Sequence, residues 1–241
     1  MKADLHVHTV LSPCGDLDMS PRAIIAAAKR RGIEILGITD HNSTRQIPVM
    51  QQVARQEGIL LLAGVEVATR EEVHCLAFFP GDEQLNAFQH YLDLYLPAIP
   101  NDPARFGYQV VVDADDQILY EETRLLISAI DQGIEEIERA VHALDGLFIP
   151  AHVDKSRNSI FSQLGFIPPT LACDALEISA RATPSTLLAT TPRTRQHALL
   201  QSSDAHYLHE IGTVYTELHP RDDSFEAIRD AVRTSRSVWE R

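Results

Sequence analysis

Short apolar runs alternate along most of this chain with longer segments whose apolar residues recur at helical spacing. The first helical segment has clear boundaries, because Ser20 is a good N-cap, Pro21 suits the first helical position and Gly32 ends the run. The predicted strands are residues 3–8, 33–38, 59–65, 73–79, 147–151, 175–178, 198–201 and 213–218. The predicted helices are residues 21–31, 44–57, 83–95, 134–144 and 225–233. Strands that alternate with helices in this way predict an α/β fold with a parallel sheet and right-handed crossovers.

Residues 97–132 interrupt this alternation. Pro97, Pro100 and Pro103 mark a loop, and residues 109–120 form a predicted hairpin around an acidic turn. The turn lacks the ligand spacing and the closing Glu of a calcium-binding loop, so we interpret it as solvated. The whole chain, residues 1–241, is predicted to be one barrel-sized domain with this segment as an insertion or lid at its edge.

The chain is acidic, with a formal net charge of −13 over 241 residues. This charge argues against a basic surface that follows a nucleic acid duplex, although divalent cations bound in one cleft would still allow a phosphate substrate. The three cysteines form no CxxC pair, which fits a reducing cytoplasm and excludes a thiolate zinc knuckle. The opening residues do not resemble a secretory leader, and no apolar run approaches the roughly 20 residues of a membrane span. We therefore expect a cytoplasmic protein with no membrane partner.

Residues of metal-binding type stand at the ends of the predicted strands. His6 and His8 are two residues apart, so on a strand both imidazoles point to the same face. Taken alone, this pair is equally typical of half-buried histidines on an edge strand. Further strand ends supply Asp40 and His41, Glu66, His152, and Asp204 and His206. Because the C-terminal strand ends of a barrel meet at one mouth, and imidazole with carboxylate suits Zn, Mn or Fe, we predict a catalytic metal site.

The chain resembles the PHP (polymerase and histidinol phosphatase) family through a series of motifs in the same order. They are Asp4-x-His6-x-His8-Thr9, Thr39-Asp40-His41, Gly64-Val65-Glu66, Ala151-His152 and Ser203-Asp204-Ala205-His206. The resemblance extends over nearly the whole chain and is greatest to the small stand-alone phosphoesterases of the family. It implies a distorted (β/α)7 TIM-like barrel and three divalent metal ions (Zn, Mn or Fe).

The resemblance also implies the ligands of each metal ion. His6, His8, Glu66 and Asp204 would hold the first ion, His41 and His206 with a residue of the loop 9–19 the second, and Glu66, His74 and His152 the third, with Glu66 bridging. Family members commonly place an Asp or His in that loop, where this chain offers Asp16 and Cys14. A hard carboxylate suits a phosphate-hydrolysing metal, so Asp16 is the favoured ligand. Cys14 then packs, and if neither residue binds, the site holds two ions.

The implied reaction is hydrolysis of a phosphate ester of a small metabolite or nucleotide. A hydroxide that bridges two cations attacks phosphorus in line, while cations held by Glu66 and Asp204 neutralise the developing charge. Asp40 is predicted to orient a metal-bound histidine or, alternatively, to cap a helix, and His209 is a candidate general acid. The candidate anchors for the substrate phosphate are Lys155, Arg157 and Arg181, each of which is also compatible with a plain surface charge.

Two other functions fit parts of the pattern. A metal-dependent amidohydrolase also uses a histidine-rich barrel mouth, but no obvious lysine stands at a strand end to carry a carbamate bridge. A non-catalytic, metal-binding regulatory module would be expected to lack ligands, whereas nearly all of them are present here. The leading prediction is therefore a metal-dependent phosphoesterase.

Overall fold

The structure, a computed structural model, describes residues 1–235 and has an α/β fold, as predicted. Its strands are β1 Lys2–Val7, β2 Ile35–Ile38, β3 Leu60–Ala68, β4 His74–Phe78, β5 Val110–Val112, β6 Ile118–Glu121, β7 Leu147–Pro150, β8 Leu176–Ile178, β9 Leu199–Gln201 and β10 Thr216–Glu217. Its helices are α1 Pro21–Arg31, α2 Ile47–Glu57, α3 Asp82–Tyr95, α4 Pro103–Phe106, α5 Ile134–His142, α6 Ile160–Gln163, α7 Pro184–Thr190 and α8 Phe225–Arg233, with a 3-10 helix at Pro192–Gln196. None of these helices is long and apolar enough to cross a lipid bilayer.

Helix α1 begins and ends where the sequence predicts. Ser20 has an extended backbone at the N-cap, Pro21 is the first helical residue, and Gly32 ends the helix in the left-handed conformation with φ 70°. Any residue with a Cβ atom is strained at such a φ, so glycine is the residue that can end the helix in this conformation. Helix α8 also has its predicted bounds and begins after Ser224, whose hydroxyl accepts a hydrogen bond from the Ala227 N–H.

The main sheet is curled, so that its two ends approach each other. Six strands have the order β10-β1-β2-β3-β4-β7, and β8 and β9 form a separate parallel pair. The pair lies between β7 and β1, because the Val153 N–H bonds the Glu177 carbonyl at 2.8 Å and the His8 N–H bonds the Ala205 carbonyl at 3.0 Å. These bonds gather the strand ends at one mouth, as a TIM-like fold requires. The predicted count of seven strand–helix units stays a prediction.

The prediction of a parallel sheet was wrong for β4, and also for β10, which is antiparallel to β1. Strands β1, β2 and β3 are parallel, but β4 is antiparallel to both β3 and β7. The connection from β3 to β4 covers only residues 69–73, which suffices for a hairpin but not for the crossover that a parallel neighbour needs. Strand β3 also runs past Glu66 to Ala68, which pairs with His74. His74 therefore reaches the mouth from the start of its strand, unlike the other histidines.

The hairpin predicted within residues 97–132 is present as β5 and β6, which pair antiparallel around an acidic turn. The amide of Gln46 fixes it to the mouth by bonding both the carbonyl and the N–H of Val112, at 2.8 and 2.9 Å. The carbonyl of Pro13 lies close to Gly107, where a Cβ would approach to 2.3 Å. The segment thus packs beside the loop 9–19, and its role as a lid stays a prediction.

Candidate metal centre

Glu66 is the centre of the mouth. Its side chain is 1% exposed, and ring nitrogens of five histidines lie around its two carboxylate oxygens. The nitrogen–oxygen distances are 3.4 Å from His6 Nε2, 3.4 Å from His8 Nε2, 3.0 Å from His41 Nδ1, 2.8 Å from His74 Nδ1 and 3.1 Å from His152 Nε2. Predicted ligands from four different strands and their following loops are therefore brought together on one carboxylate.

Asp204 is the second carboxylate of this cluster. Its Oδ1 lies 3.3 Å from His6 Nε2 and 3.5 Å from His8 Nε2, and its Oδ2 accepts a hydrogen bond from Lys155 Nζ. Asp204 and His152 both have left-handed backbone, with φ 53° and 31°. Non-glycine residues in this region are strained by about 1–3 kcal/mol, and such strain collects where side chains must be aimed at a ligand.

The outer nitrogens of His6 and His8 are held by buried acceptors. His6 Nδ1 lies 2.9 Å from Glu177 Oε2, and His8 Nδ1 lies 2.9 Å from Ser12 Oγ, which itself donates to Asp40 Oδ1 at 2.7 Å. Because Nδ1 carries the proton shared with these acceptors, Nε2 of each ring presents a lone pair to the mouth. Asp40 is thus linked to His8 through Ser12, rather than to the adjacent His41.

This arrangement fits divalent cations. Nε2 of His6 and Nε2 of His8 are 3.2 Å apart, so in the neutral rings two lone pairs face each other. Within residues 1–235, the buried Nδ1 of His41 makes no well-aligned hydrogen bond, although it lies 3.0 Å from a Glu66 oxygen. Three groups have ligand atoms within 4.8 Å of one another: His8, His41 and His206; His6, His8 and Glu66; and His41, Glu66 and His74. Buried nitrogen lone pairs beside carboxylates are the donors that Zn, Mn or Fe takes.

Burial and charge act in opposite directions in the cluster. Burial alone would lower the pKa of His6, but the carboxylates of Glu177, Asp204 and Glu66 raise it well above its usual value. Burial alone would raise the pKa of Glu66, but His74 and the other histidines hold it well below its usual range. The carboxylates are thus ionised and favour positive charge among the imidazoles, which is the charge that a bound cation supplies.

A cavity of about 280 Å³ opens over the cluster, and residues 155–158 form part of its wall. Lys155 and Arg157, two of the predicted phosphate anchors, line this cavity, whereas the exposed Arg181 does not. His209 is also exposed and outside the lining, and its ring lies 5.7 Å from that of Tyr207. The structure therefore brings two of the three predicted anchors to the metal cluster and leaves His209 on the surface.

The loop between β1 and α1 offers the two alternatives that the sequence left open. Cys14 Sγ lies 3.1 Å from His206 Nε2. The Asp16 carboxylate instead accepts a hydrogen bond from the Asp18 N–H at 2.9 Å, and its own N–H bonds the His206 carbonyl. The structure thus places the thiol, and not the carboxylate, beside the cluster.

Glu177 is the contact residue that the sequence reasoning missed. It is 1% exposed on the three-residue strand β8, bonds His6, and accepts the His152 N–H at 3.1 Å. One signal was available, because an acidic residue between Leu176 and Ile178 on a buried strand needs a partner. Its hydrogen-bond partner, His6, was already a predicted ligand.

Imidazole and carboxylate groups at the mouth of a curled α/β sheet, with cationic side chains beside them, define a class of α/β proteins with a candidate metal centre. Within that class the chain belongs to the PHP family, because the PHP domain matches residues 4–207. A PHP-associated region matches residues 193–237. The family predicted from the sequence is thereby confirmed.

Two relatives that match nearly the whole chain are longer than it, and the chain spans little more than half of their length. The protein YqxK of Bacillus subtilis is 24% identical, over 96% of this chain and 61% of its own length. Endonuclease Q of Pyrococcus furiosus superimposes with a TM-score of 0.69 at 20% identity, over 96% of this chain and 55% of its own. In a second structure (TM-score 0.73), endonuclease Q is bound to a 27-mer duplex substrate with an abasic lesion at the active site.

A relative of similar size is a proposed metal-dependent phosphoesterase from Bifidobacterium adolescentis. It superimposes with a TM-score of 0.63 at 18% identity, and the match covers 99% of this chain and 98% of that one. Likenesses at this identity concern the fold, and they confirm the TIM-like α/β architecture that the sequence predicts.

Proposed function

We propose that this chain is a metal-dependent phosphoesterase that hydrolyses a phosphate ester of a small metabolite or nucleotide at a trinuclear site. The observation that carries the proposal is the convergence of five imidazoles on the buried carboxylate of Glu66. A carboxylate with both oxygens facing imidazoles is suited to bridge cations. The ligand set would be completed by His6, His8, Asp204, His41, His206, His74 and His152.

Divalent cations, when bound, supply an activated water and neutralise charge that develops on phosphorus. The residues of the chain then hold and orient the reactants. Glu177 fixes the ring of His6, and Asp40, through Ser12, fixes the ring of His8. Lys155 and Arg157 at the cavity wall would bind the substrate phosphate, with Arg157 able to do so through two parallel hydrogen bonds.

The size of the cavity favours a small substrate. Pockets for small molecules are commonly about 300–1,000 Å³, and the space of about 280 Å³ over the cluster is just below this range. The acidic chain, with its net charge of −13, lacks the overall electrostatics that favour a nucleic acid duplex. We therefore expect the substrate to be a phosphorylated metabolite or a nucleotide. The duplex substrate of endonuclease Q is tested for comparison.

The experiment is a substrate panel run on purified, metal-stripped protein that is resupplied with Mn, Zn or Fe. It measures phosphate release from monoesters, diesters and nucleotides, cleavage of an abasic duplex, and ammonia release from amides. We expect metal-dependent phosphate release, and its loss in His8→Ala and Asp204→Ala. Lys155→Ala and Arg157→Ala should chiefly raise KM, because these side chains would bind the phosphate.

Each alternative function has its own outcome in this panel. Metal-dependent ammonia release without phosphate release would assign an amidohydrolase. Tight metal binding with neither product would assign a regulatory module. If phosphate release persisted unchanged in His8→Ala and Asp204→Ala, the proposed site would be incorrect.

A further inference from the structure

The loop between β1 and α1 holds its cysteine rigidly against the metal centre. The Gly15 N–H bonds the Ser12 carbonyl at 2.9 Å, which forms a turn with Cys14 at its tip. A side chain at Gly15 would come within 2.6 Å of the Thr9 carbonyl, so the turn requires glycine there. The position of the Cys14 thiol is thus set by backbone contacts and not by its own packing.

The same loop is bonded to the residue that the thiol faces. The Asp16 N–H donates to the His206 carbonyl at 2.9 Å, so the two segments move together. His206 Nδ1 lies 2.9 Å from the Asp204 carbonyl, which requires the ring to carry its proton on Nδ1. Nε2 of His206 therefore presents a lone pair, and this is the atom 3.1 Å from Cys14 Sγ.

Two further nitrogens complete the surroundings of this thiol. His8, His41 and His206 have ligand atoms within 4.8 Å of one another, and the rings of His8 and His206 stack with centroids 4.2 Å apart. The buried Nδ1 of His41 lies 3.0 Å from Glu66 Oε2. Imidazole and thiol groups are donors that zinc takes, with the thiol as thiolate.

We propose that Cys14 binds, as a thiolate, the cation held by His41 and His206, and so supplies the loop ligand for which the sequence favoured Asp16. This rests on the proposed metal-dependent function of the same site. The S–H bond breaks and a sulfur–metal bond forms as the cation enters, and the proton passes to solvent.

A thiolate changes which metal the site prefers. Soft sulfur favours Zn and Fe over Mn and Mg, whereas an all-oxygen and imidazole site accepts the harder ions more readily. Cys14→Asp restores the carboxylate that the family commonly places in this loop. It should move the preference of this one position toward Mn.

The test uses the metal-stripped full chain and Co²⁺ alone as the probe. A thiolate–cobalt bond gives a near-ultraviolet charge-transfer band, whereas cobalt held by imidazole and carboxylate gives only visible d–d bands. We expect the charge-transfer band in the unmodified chain, in Asp16→Asn and in the control Cys173→Ser. We expect its loss in Cys14→Ser, with d–d bands retained from the other ligands.

Persistence of the charge-transfer band in Cys14→Ser, or d–d bands without it in the unmodified chain, would overturn the assignment of Cys14. If Co²⁺ gave neither band, the proposed function itself would fail, because the whole site would bind no metal. Far-ultraviolet circular dichroism of each variant separates these results from a loss of folding. A Cys14→Asp variant that binds Co²⁺ without the band, and binds Mn more tightly than the unmodified chain, provides a second readout in favour.

Discussion

Two clusters of histidine and carboxylate lie in this molecule, and they have opposite hydrogen-bond patterns. In the first, at the mouth, His6 and His8 face each other through Nε2 atoms 3.2 Å apart. In the second, outside the mouth, His142 lies between two carboxylates, with Nδ1 2.5 Å from Glu138 and Nε2 2.9 Å from Asp174. The same residue types thus form two different clusters. In the first, ring nitrogens of two histidines face each other, whereas in the second each ring nitrogen of His142 faces a carboxylate acceptor.

The difference identifies which cluster binds a ligand. Asp174 in the second cluster also accepts hydrogen bonds from Arg233 Nε and from the Phe148 N–H, both at 2.7 Å. Its charges are therefore balanced by the protein alone, and it ties α5 and α8 to the start of β7. The mouth leaves buried polar atoms without a partner among residues 1–235, namely His152 Nδ1 and Glu177 Oε1. Buried groups left unpaired are costly, so their retention at the mouth favours a bound cation.

The largest effect on activity is expected at Glu66, the centre of the mouth. Glu66→Gln removes the carboxylate charge shared by five histidines and should reduce phosphate release by roughly a thousandfold or more, since bound metal contributes several kcal/mol to the transition state. Metal content, measured by elemental analysis after dialysis, should fall as well. The matched change in the second cluster, Glu138→Gln, should leave both quantities unchanged. Equal losses of phosphate release and metal content in the two variants would show that the two clusters do not differ in metal binding.

A smaller effect is expected for the carboxylate behind the metal ligands. Glu177→Gln keeps the shape of the side chain but weakens the bond that orients His6, and such changes typically cost about 10- to 100-fold in activity or metal affinity. The measurement is metal affinity by competition with a chelator, together with kcat. Glu177→Asp, which keeps the charge, should recover part of the loss. If Glu177→Gln bound metal as tightly as the unmodified chain, Glu177 would have only a packing role.

The sequence predicts the mouth well because its ligands follow from chain order. Residues at consecutive strand ends, such as His41 and His152, converge once the strands are assigned, whatever the details of packing. Helix α1 is equally local, since Ser20 and Gly32 define its two ends. Contacts between distant segments are less accessible, and the pairing of Glu177 with His6 depends on how β8 closes the sheet against β1.

Two further features depend on conformations that apolar periodicity does not encode. The sequence favoured Asp16 on the chemistry of a carboxylate, whereas the turn at Gly15 directs Cys14 toward His206. The reversal of β4 follows from the short connection after Ala68, which strand–helix alternation alone does not reveal. In both cases the length and backbone geometry of a turn decide which side chain reaches the mouth.

The smallest predicted effect concerns the second cluster and its dependence on pH. The hydrogen bond to Asp174, against the effect of partial burial, raises the pKa of His142 above its usual value. A histidine whose pKa is raised on folding stabilises the protein fully below its unfolded pKa of about 6.5, and this stabilisation is lost as pH rises through the folded pKa. His142→Gln should therefore lower the free energy of unfolding by about 1 kcal/mol at mildly acidic pH, which is a charged hydrogen bond reduced by solvent screening at this half-buried site, and by less at alkaline pH. The pKa of Asp174 is lowered instead, so its own contribution is lost only at more acidic pH and does not interfere in this window.

The measurement is urea unfolding of the unmodified chain and of His142→Gln at several pH values, with chelator present throughout. Taking the difference between the two proteins removes the titration of the histidines at the mouth, which both contain. His90→Gln, an exposed change on α3, serves as the control and should give no pH-dependent difference. A difference for His142→Gln that stayed constant with pH would mean that His142 is neutral between its two carboxylates. The second cluster would then lack the balanced charges that distinguish it from the mouth.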